Sequence, residues 1–279
     1  MSKKPTRKKP LHEKYFYYER SVQSVGTHLK WYRQIFQENL AFFPLKLRED
    51  FCGTFLHAKE WIDLAPDHTA VGIDLDSEPL NYGKRVHLPK LTPEARARLT
   101  ILQEDVLKIR KPVADFVIAC NFSFYIFQQR ELLREYFRGV YESLGSKGML
   151  ILEMAGGPGM IEEVRERKTV RYKTSVGKPE KFQYIWDQRG FDPIHNRALY
   201  SIHFKFEDGR EMRDAFTYDW RLWTIPEIRE ILAEAGFQKS GVYWETSHKG
   251  EGTGEYTLQE KGDNAYAWIA TVVGIKSAP

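Results

Sequence analysis

From residue 45 to residue 154 the chain alternates short apolar runs with stretches of helical period. A run ending at Leu47 and Glu49 is followed by a helical stretch over 54–64, with Leu56, Trp61 and Leu64 as its apolar members. The run 70–74 comes next, then a helix over about 79–86, then the run 99–102. A fourth run occupies 114–120, a strongly amphipathic helix covers about 128–144 and stops at Gly145, and a fifth run fills 149–154. Unbroken apolar runs are the pattern of strands buried on both faces. Their alternation with helices predicts an α/β fold, a Rossmann-like doubly wound sheet that is mostly parallel.

The rhythm breaks at Gly156-Gly157-Pro158-Gly159. Residues 181–221 read as antiparallel strands instead: 200–206 alternates, Asp208-Gly209 supplies a hairpin turn, and a partner runs over about 210–218. This predicts a small antiparallel β insertion at about 156–223. Thr224-Ile225-Pro226-Glu227 then opens a helix with a capping residue, an early proline and an early acid, and that helix ends at Gly236. Two more runs, 242–244 and 266–275, predict a C-terminal antiparallel hairpin around a glycine-rich loop at 249–263. Upstream, 15–44 is aromatic and partly helical. Tyr15, Phe16, Tyr17 and Tyr18 are too apolar to stay in solvent, so the segment is expected to dock as an N-terminal helical lid. The division is then a disordered basic tail at 1–14, the lid at 15–44, and one domain at 45–279.

With 42% hydrophobic and 29% charged residues in 279, the composition is that of a globular protein able to bury a large core. The net charge of +4 is concentrated at one end. Lys3, Lys4, Arg7, Lys8, Lys9 and Lys14 stand against Glu13 in the tail, which leaves the remaining residues at −1. A body of that balance is not a nucleic-acid surface, although the tail could touch phosphates. Cys52 and Cys120 give neither a disulfide framework nor a zinc spacing, which fits a reducing, cytoplasmic setting. The 8 histidines show no ligand spacing, so no metal is expected. No apolar run reaches about 18 residues, and no apolar stretch follows the basic N-terminus; neither a membrane span nor a secretory signal is expected.

In open α/β sheets ligands bind at the carboxyl ends of the strands. There stand Glu49-Asp50-Phe51-Cys52-Gly53-Thr54, Asp74-Leu75-Asp76, Glu104-Asp105-Val106, Asn121-Phe122-Ser123-Phe124 and Glu153. An acid 21 residues past Gly53 suits ribose hydroxyls, and Asp105 suits an exocyclic amine. Each acid alone says little, because strands end at the surface. A nicotinamide cofactor would want G-x-G-x-x-G, where Cys52-Gly53-Thr54 offers one glycine, and no Tyr-x-x-x-Lys pair is suitably placed.

The ordered set resembles the class I S-adenosylmethionine-dependent methyltransferases over roughly 45–154 and 224–275. Leu47-Arg48-Glu49-Asp50-Phe51-Cys52-Gly53-Thr54 stands at the glycine-rich first motif, 71–76 at the second, Gln103-Glu104-Asp105-Val106 at the third, and 144–150 at the entry to the fifth strand. The stretch LREDFCGT, with YERSVQ upstream and DWRLW downstream, looks like a bacterial-type branch of that family. The resemblance implies S-adenosylmethionine as cofactor. It also implies roles. Gly53 and Cys52 would let the backbone approach, Glu49 would hold the amino group, Asp74 with Leu75 the ribose, Asp105 with the Val106 amide the adenine, and Asn121 would lie near the transferred methyl. Phe51 and Phe55 occupy positions where the family has glycines. Phenylalanine disfavours positive φ, so either a different loop path or altered cofactor binding is expected.

Methyl transfer from a sulfonium needs positioning and exclusion of water more than a dedicated nucleophile. Acceptor-pocket candidates are Tyr18, Glu153, Trp186, Tyr218, Trp220 and Arg221, and Arg33 could pair with the cofactor carboxylate. Aromatics grouped with charges fit an amphiphilic or cationic acceptor; they could equally be the insertion's own core. The expected activity is methylation of a small molecule at N or O. The alternatives are an RNA or protein methyltransferase guided by the tail and a non-catalytic cofactor-binding protein. The Asn/Asp-Pro-Pro-Tyr/Phe motif of nucleic-acid amino-methylating enzymes is absent at 121–124.

Overall fold

The computed structural model describes residues 11–174, 176–248 and 251–277. Strands β1 (Lys46–Asp50), β2 (Thr69–Asp74), β3 (Leu99–Gln103), β4 (Ala114–Ala119) and β5 (Leu144–Gly156) are mutually parallel. Strands β6 (Arg165–Lys173), β7 (Pro179–Asp192), β8 (Arg197–Phe206) and β9 (Glu211–Arg221) form a separate antiparallel meander. Strands β10 (Lys239–His248), β11 (Glu251–Leu258) and β12 (Trp268–Lys276) return to the first sheet, whose order is β11-β10-β12-β5-β4-β1-β2-β3. β12 pairs antiparallel with β5 from Trp268↔Gly156 to Lys276↔Gly148. The helices are α1 (Lys14–Ser21), α2 (Val25–Asn39), α3 (Leu56–Leu64), α4 (Ser77–Val86), the single turn α5 (Pro93–Arg96), α6 (Arg130–Ser143) and α7 (Ile225–Ala235).

The reason β5 reads as one apolar run is visible in its two faces. Leu150, Leu152 and Met154 point into the core beneath α6 and α7, while Met149 and Ile151 point into the core beneath α2 and α3. Local signals end the helices as well. Asp76 accepts the Glu78 amide at the start of α4, Thr224 and Glu227 form a reciprocal capping box on α7, and Gly236 stops α7 at φ 111°.

Four expectations change. The segment 15–44 is not one lid: Leu29, Tyr32, Ile35 and Phe36 bury α2 on the sheet face, and only α1 leaves that layer to lie on the meander. The disordered tail does not reach residue 14. His12 stacks on Phe16, and Lys14 begins α1 and pairs with Glu78; residues 1–10 lie outside the described residues. The loop at 249–263 contains an edge strand, β11, since a chain beside β10 satisfies its backbone there despite the glycines that lower its propensity; residues 249 and 250 lie outside the described residues. Within the insertion the antiparallel strands begin ahead of 181–221, with β6, whose mostly exposed polar residues carry little period-2 signal.

Candidate active site

The sheet order reverses between β1 and β4, and a cavity of about 570 Å³ opens there, at the carboxyl ends of the strands. The loop after β1 forms its floor. Phe51, Gly53 and Phe55 all adopt left-handed backbone, at φ 54°, 54° and 51°. The Cys52 amide donates to Ile73 O and the Phe55 amide to Cys52 O. The expected detour of this loop is therefore overturned: the phenylalanines take the positive-φ conformations themselves. Each such residue costs about 1–2 kcal/mol, and packing supplies the compensation. Phe51 lies against Phe127 and Tyr136 on the α6 side. Phe55, fully buried, goes to the other core. Its room comes from glycines elsewhere. A Cβ on Gly83 would come within 2.5 Å of the Phe55 ring and of Thr54 O, and one on Gly72 within 3.2 Å of Phe55 Cβ. The close approach that a loop glycine usually permits has moved to β2 and α4. After β4, Asn121 and Phe122 are also left-handed, at φ 53° and 57°. Of these four strained non-glycine residues, Phe51 and Asn121 line the first cavity.

The conspicuous charges of the first motif divide into structure and site. Arg48 is buried and donates from Nε and Nη2 to the two carboxylate oxygens of Asp50, at 2.6 and 3.1 Å, and Tyr136 donates to Asp50 at 2.9 Å. That pair ties β1 to α6. Glu49 accepts the Ala58 amide at 2.8 Å and meets His57 Nδ1 at 3.1 Å, at the start of α3. His57 meets His28 of α2 at 3.3 Å, where burial lowers the His28 pKa and keeps it neutral. Asp74 accepts the Gly53 amide at 2.7 Å and the Asp76 amide at 2.9 Å. Burial raises its pKa against these hydrogen bonds. The lining contains five carboxylates, of Glu49, Asp50, Asp74, Asp76 and Asp214, against one lysine, Lys14. Gln23 also lines the cavity, and its buried Oε1 has no hydrogen-bond partner.

Helix α1 covers this cavity. Tyr17 anchors it on Phe182 and Phe204 of the meander. Two ion pairs, Glu13 to Arg85 and Lys14 to Glu78, and a hydrogen bond between Glu19 and His87 latch its other side to α4. Glu19 Oε1 also accepts from Thr54 of the floor loop at 2.7 Å.

A second cavity, of about 390 Å³, adjoins the first, and the two share Tyr18, Asn121, Tyr218 and Trp220. Phe122, Tyr184, Trp186 and Trp268 supply further walls. The Asn121 amide donates to Glu153 Oε2 at 2.5 Å. Glu153 therefore fixes the backbone at the junction, and it is not among the lining residues.

Of the sequence candidates, Glu49, Cys52, Gly53 and Asp74 line the first cavity, Trp186 the second, and Tyr18, Asn121, Tyr218 and Trp220 both. Arg33, Leu75, Asp105 and Val106 line neither. Arg33 sits on α2, which packs on the sheet; Leu75 is largely exposed, Val106 is core, and Asp105 accepts the Leu107 amide in a turn. Arg221 also lies off both cavities, reaching Gln128 O and Glu227 and stacking on Trp223. Lys14, Glu19, His57, Met160 and Trp268 had no local sequence signal, since chain-distant segments bring them to the site. Among the described residues, no three His, Cys, Asp or Glu side chains gather as a metal site would need, and no helix is long and apolar enough to cross a membrane.

With its crevice at the strand reversal, the chain shares the fold of solved S-adenosylmethionine-dependent methyltransferases. Solved structures share it over nearly the whole chain. A sugar N-methyltransferase from Streptoalloteichus sp. is 17% identical, with 99% of this chain and 98% of that chain covered at a TM-score of 0.65. An S-adenosylmethionine-bound amino pentose methyltransferase from Micromonospora echinaspora is 16% identical, with 95% and 99% covered at 0.64. A S-adenosylmethionine-dependent methyltransferase from Clostridium acetobutylicum is 15% identical, with 95% and 97% covered at 0.64. No family model matches the chain, and no curated protein matches it.

Proposed function

We propose that this protein transfers a methyl group from S-adenosylmethionine to a nitrogen or oxygen of a small molecule. The observation that carries this reading is the meeting of two unlike cavities at Tyr18, Asn121, Tyr218 and Trp220. The acid-lined cavity suits a ligand bearing both a sulfonium and an ammonium charge, and the aromatic one suits an organic acceptor. When bound, S-adenosylmethionine supplies an activated methyl group, which the acceptor's lone pair takes as the carbon–sulfur bond breaks with its electrons left on sulfur.

The protein's part is to bind, orient and keep water out. Asp74 and the Gly53 backbone would hold the ribose, and Glu49 with His57 and Gln23 the amino-acid end. The end of β3 lies beside the end of β2, where Glu104 N donates to Asp74 O at 3.1 Å; Asp105 and the Val106 amide would hold the adenine there. Asn121 would stand at the methyl. The two thiols are free and buried, which fits a reducing cytoplasm. Calorimetric titration with S-adenosylmethionine and its demethylated product tests the reading. Binding in the micromolar range is expected, and no heat at millimolar ligand would sink it.

A further inference from the structure

The acceptor chamber differs from the cofactor cavity in charge. No lysine, arginine or histidine is among its described lining residues, and its one carboxylate is that of Glu245. Its tyrosine hydroxyls stay protonated at neutral pH: burial pushes Tyr18 up to about 12 and Tyr184 and Tyr218 higher still. The rings are held in place. Trp186 donates its indole N–H to Gln188 at 3.1 Å, and Gln188 in turn donates to Gly159 O and Glu162 O. Behind Trp186 the Tyr200 ring stacks at 4.9 Å, and Tyr218 and Trp220 face each other at 4.5 Å. An anion entering this chamber would shed its hydration and meet no cation among the described lining residues. A cation would meet the negative faces of fixed aromatic rings.

We infer that the acceptor is a flat, apolar molecule that carries a basic amine and no anionic group. Phosphorylated and carboxylate-bearing metabolites are excluded as acceptors. The inference takes the methyl-transfer reading for the fate of the ligand, while the binding preference belongs to the chamber alone.

The test is calorimetry on the full chain, with and without S-adenosylmethionine, using tryptamine, tryptophol and tryptophan. These share one indole and differ in ammonium, hydroxyl and added carboxylate. Tryptamine is expected to bind about three- to thirtyfold tighter than tryptophol, and tryptophan at least about tenfold more weakly than tryptamine. Trp186→Leu keeps an apolar wall but removes a π face, and the tryptamine-to-tryptophol ratio should fall toward one. If that variant does not fold, Trp268→Leu, at another ring of the lining, reads the same ratio. Equal binding of tryptophan and tryptamine overturns the inference, as does a ratio near one in the unaltered protein, a ratio unmoved by the substitution, or no binding of any of the three. The two readings separate cleanly. Amine preference without S-adenosylmethionine binding sinks methyl transfer alone, and cofactor binding without amine preference sinks the acceptor class alone.

Discussion

The two cavities are built by opposite means. The cofactor cavity is a backbone construction: its floor comes from turns after β1, β2 and β4, four non-glycine residues there are left-handed, and its lining is acidic. The acceptor chamber is a side-chain construction, made of rings from the lid, the meander and the closing strands. The difference teaches where each kind of specificity comes from. A ligand with a fixed pattern of hydroxyls and charges is read by amides and carboxylates at strand ends. A ligand chosen by shape and polarity is read by surfaces that loops and insertions can change.

The comparison predicts that damage to one cavity should spare the other, in decreasing order of effect. Phe55→Gly relieves a left-handed phenylalanine, yet it should destabilise by about 3–5 kcal/mol, because Gly72 and Gly83 leave a void where the ring was. Thermal unfolding checks this, and an unchanged melting temperature would refute the compensation. Glu19→Gln should weaken cofactor binding by about 1.5–3 kcal/mol, since an anionic acceptor shared by Thr54 and His87 is lost and the lid comes loose. Stopped-flow release of S-adenosylmethionine should be faster in that variant.

Asp74→Asn separates function from stability. Burial raises the Asp74 pKa, so the folded state holds its proton more tightly than the unfolded state does. Its ionised form therefore costs stability, a cost that appears as pH rises above the ordinary carboxylate range near 3.9. At pH 7 the variant should melt no lower than the parent while binding S-adenosylmethionine roughly tenfold to a hundredfold more weakly, about 1.4–3 kcal/mol. Tryptamine binding in the neighbouring chamber should not change. The smallest effect is expected of Tyr18→Phe. Loss of the Tyr18 hydroxyl from the wall shared by the two cavities should raise the acceptor KM several-fold, about 0.5–1.5 kcal/mol, with cofactor affinity little altered.

Much of the cofactor half was legible along the chain, and for a local reason. Strands β2 and β4 are short apolar runs whose two faces both point into cores, and a polar residue ends or follows each within two positions. Asp74 and Asn121 could therefore be placed by counting from each strand. Asp50 could not: only the fold shows that Arg48 and Tyr136 consume it. Arg33 and Arg221 read as free cations, but helix packing and β9 turn both away from the cavities. Glu19 was hidden because its partners are Thr54 and His87, 35 and 68 residues away.

The periodicity of apolar positions, the capping residues and the turn glycines determined by themselves the doubly wound sheet and the crevice at its strand ends, since those signals act within a few residues. Tertiary structure alone decided that Phe51 and Phe55 could adopt glycine's conformations, because the energy that holds them there comes from Tyr136, Gly72 and Gly83. It also decided which aromatics became a chamber and which became core. A ring's preference for burial is the same in either place, and only the closing of residues 18, 121, 186, 220 and 268 around a common space tells them apart.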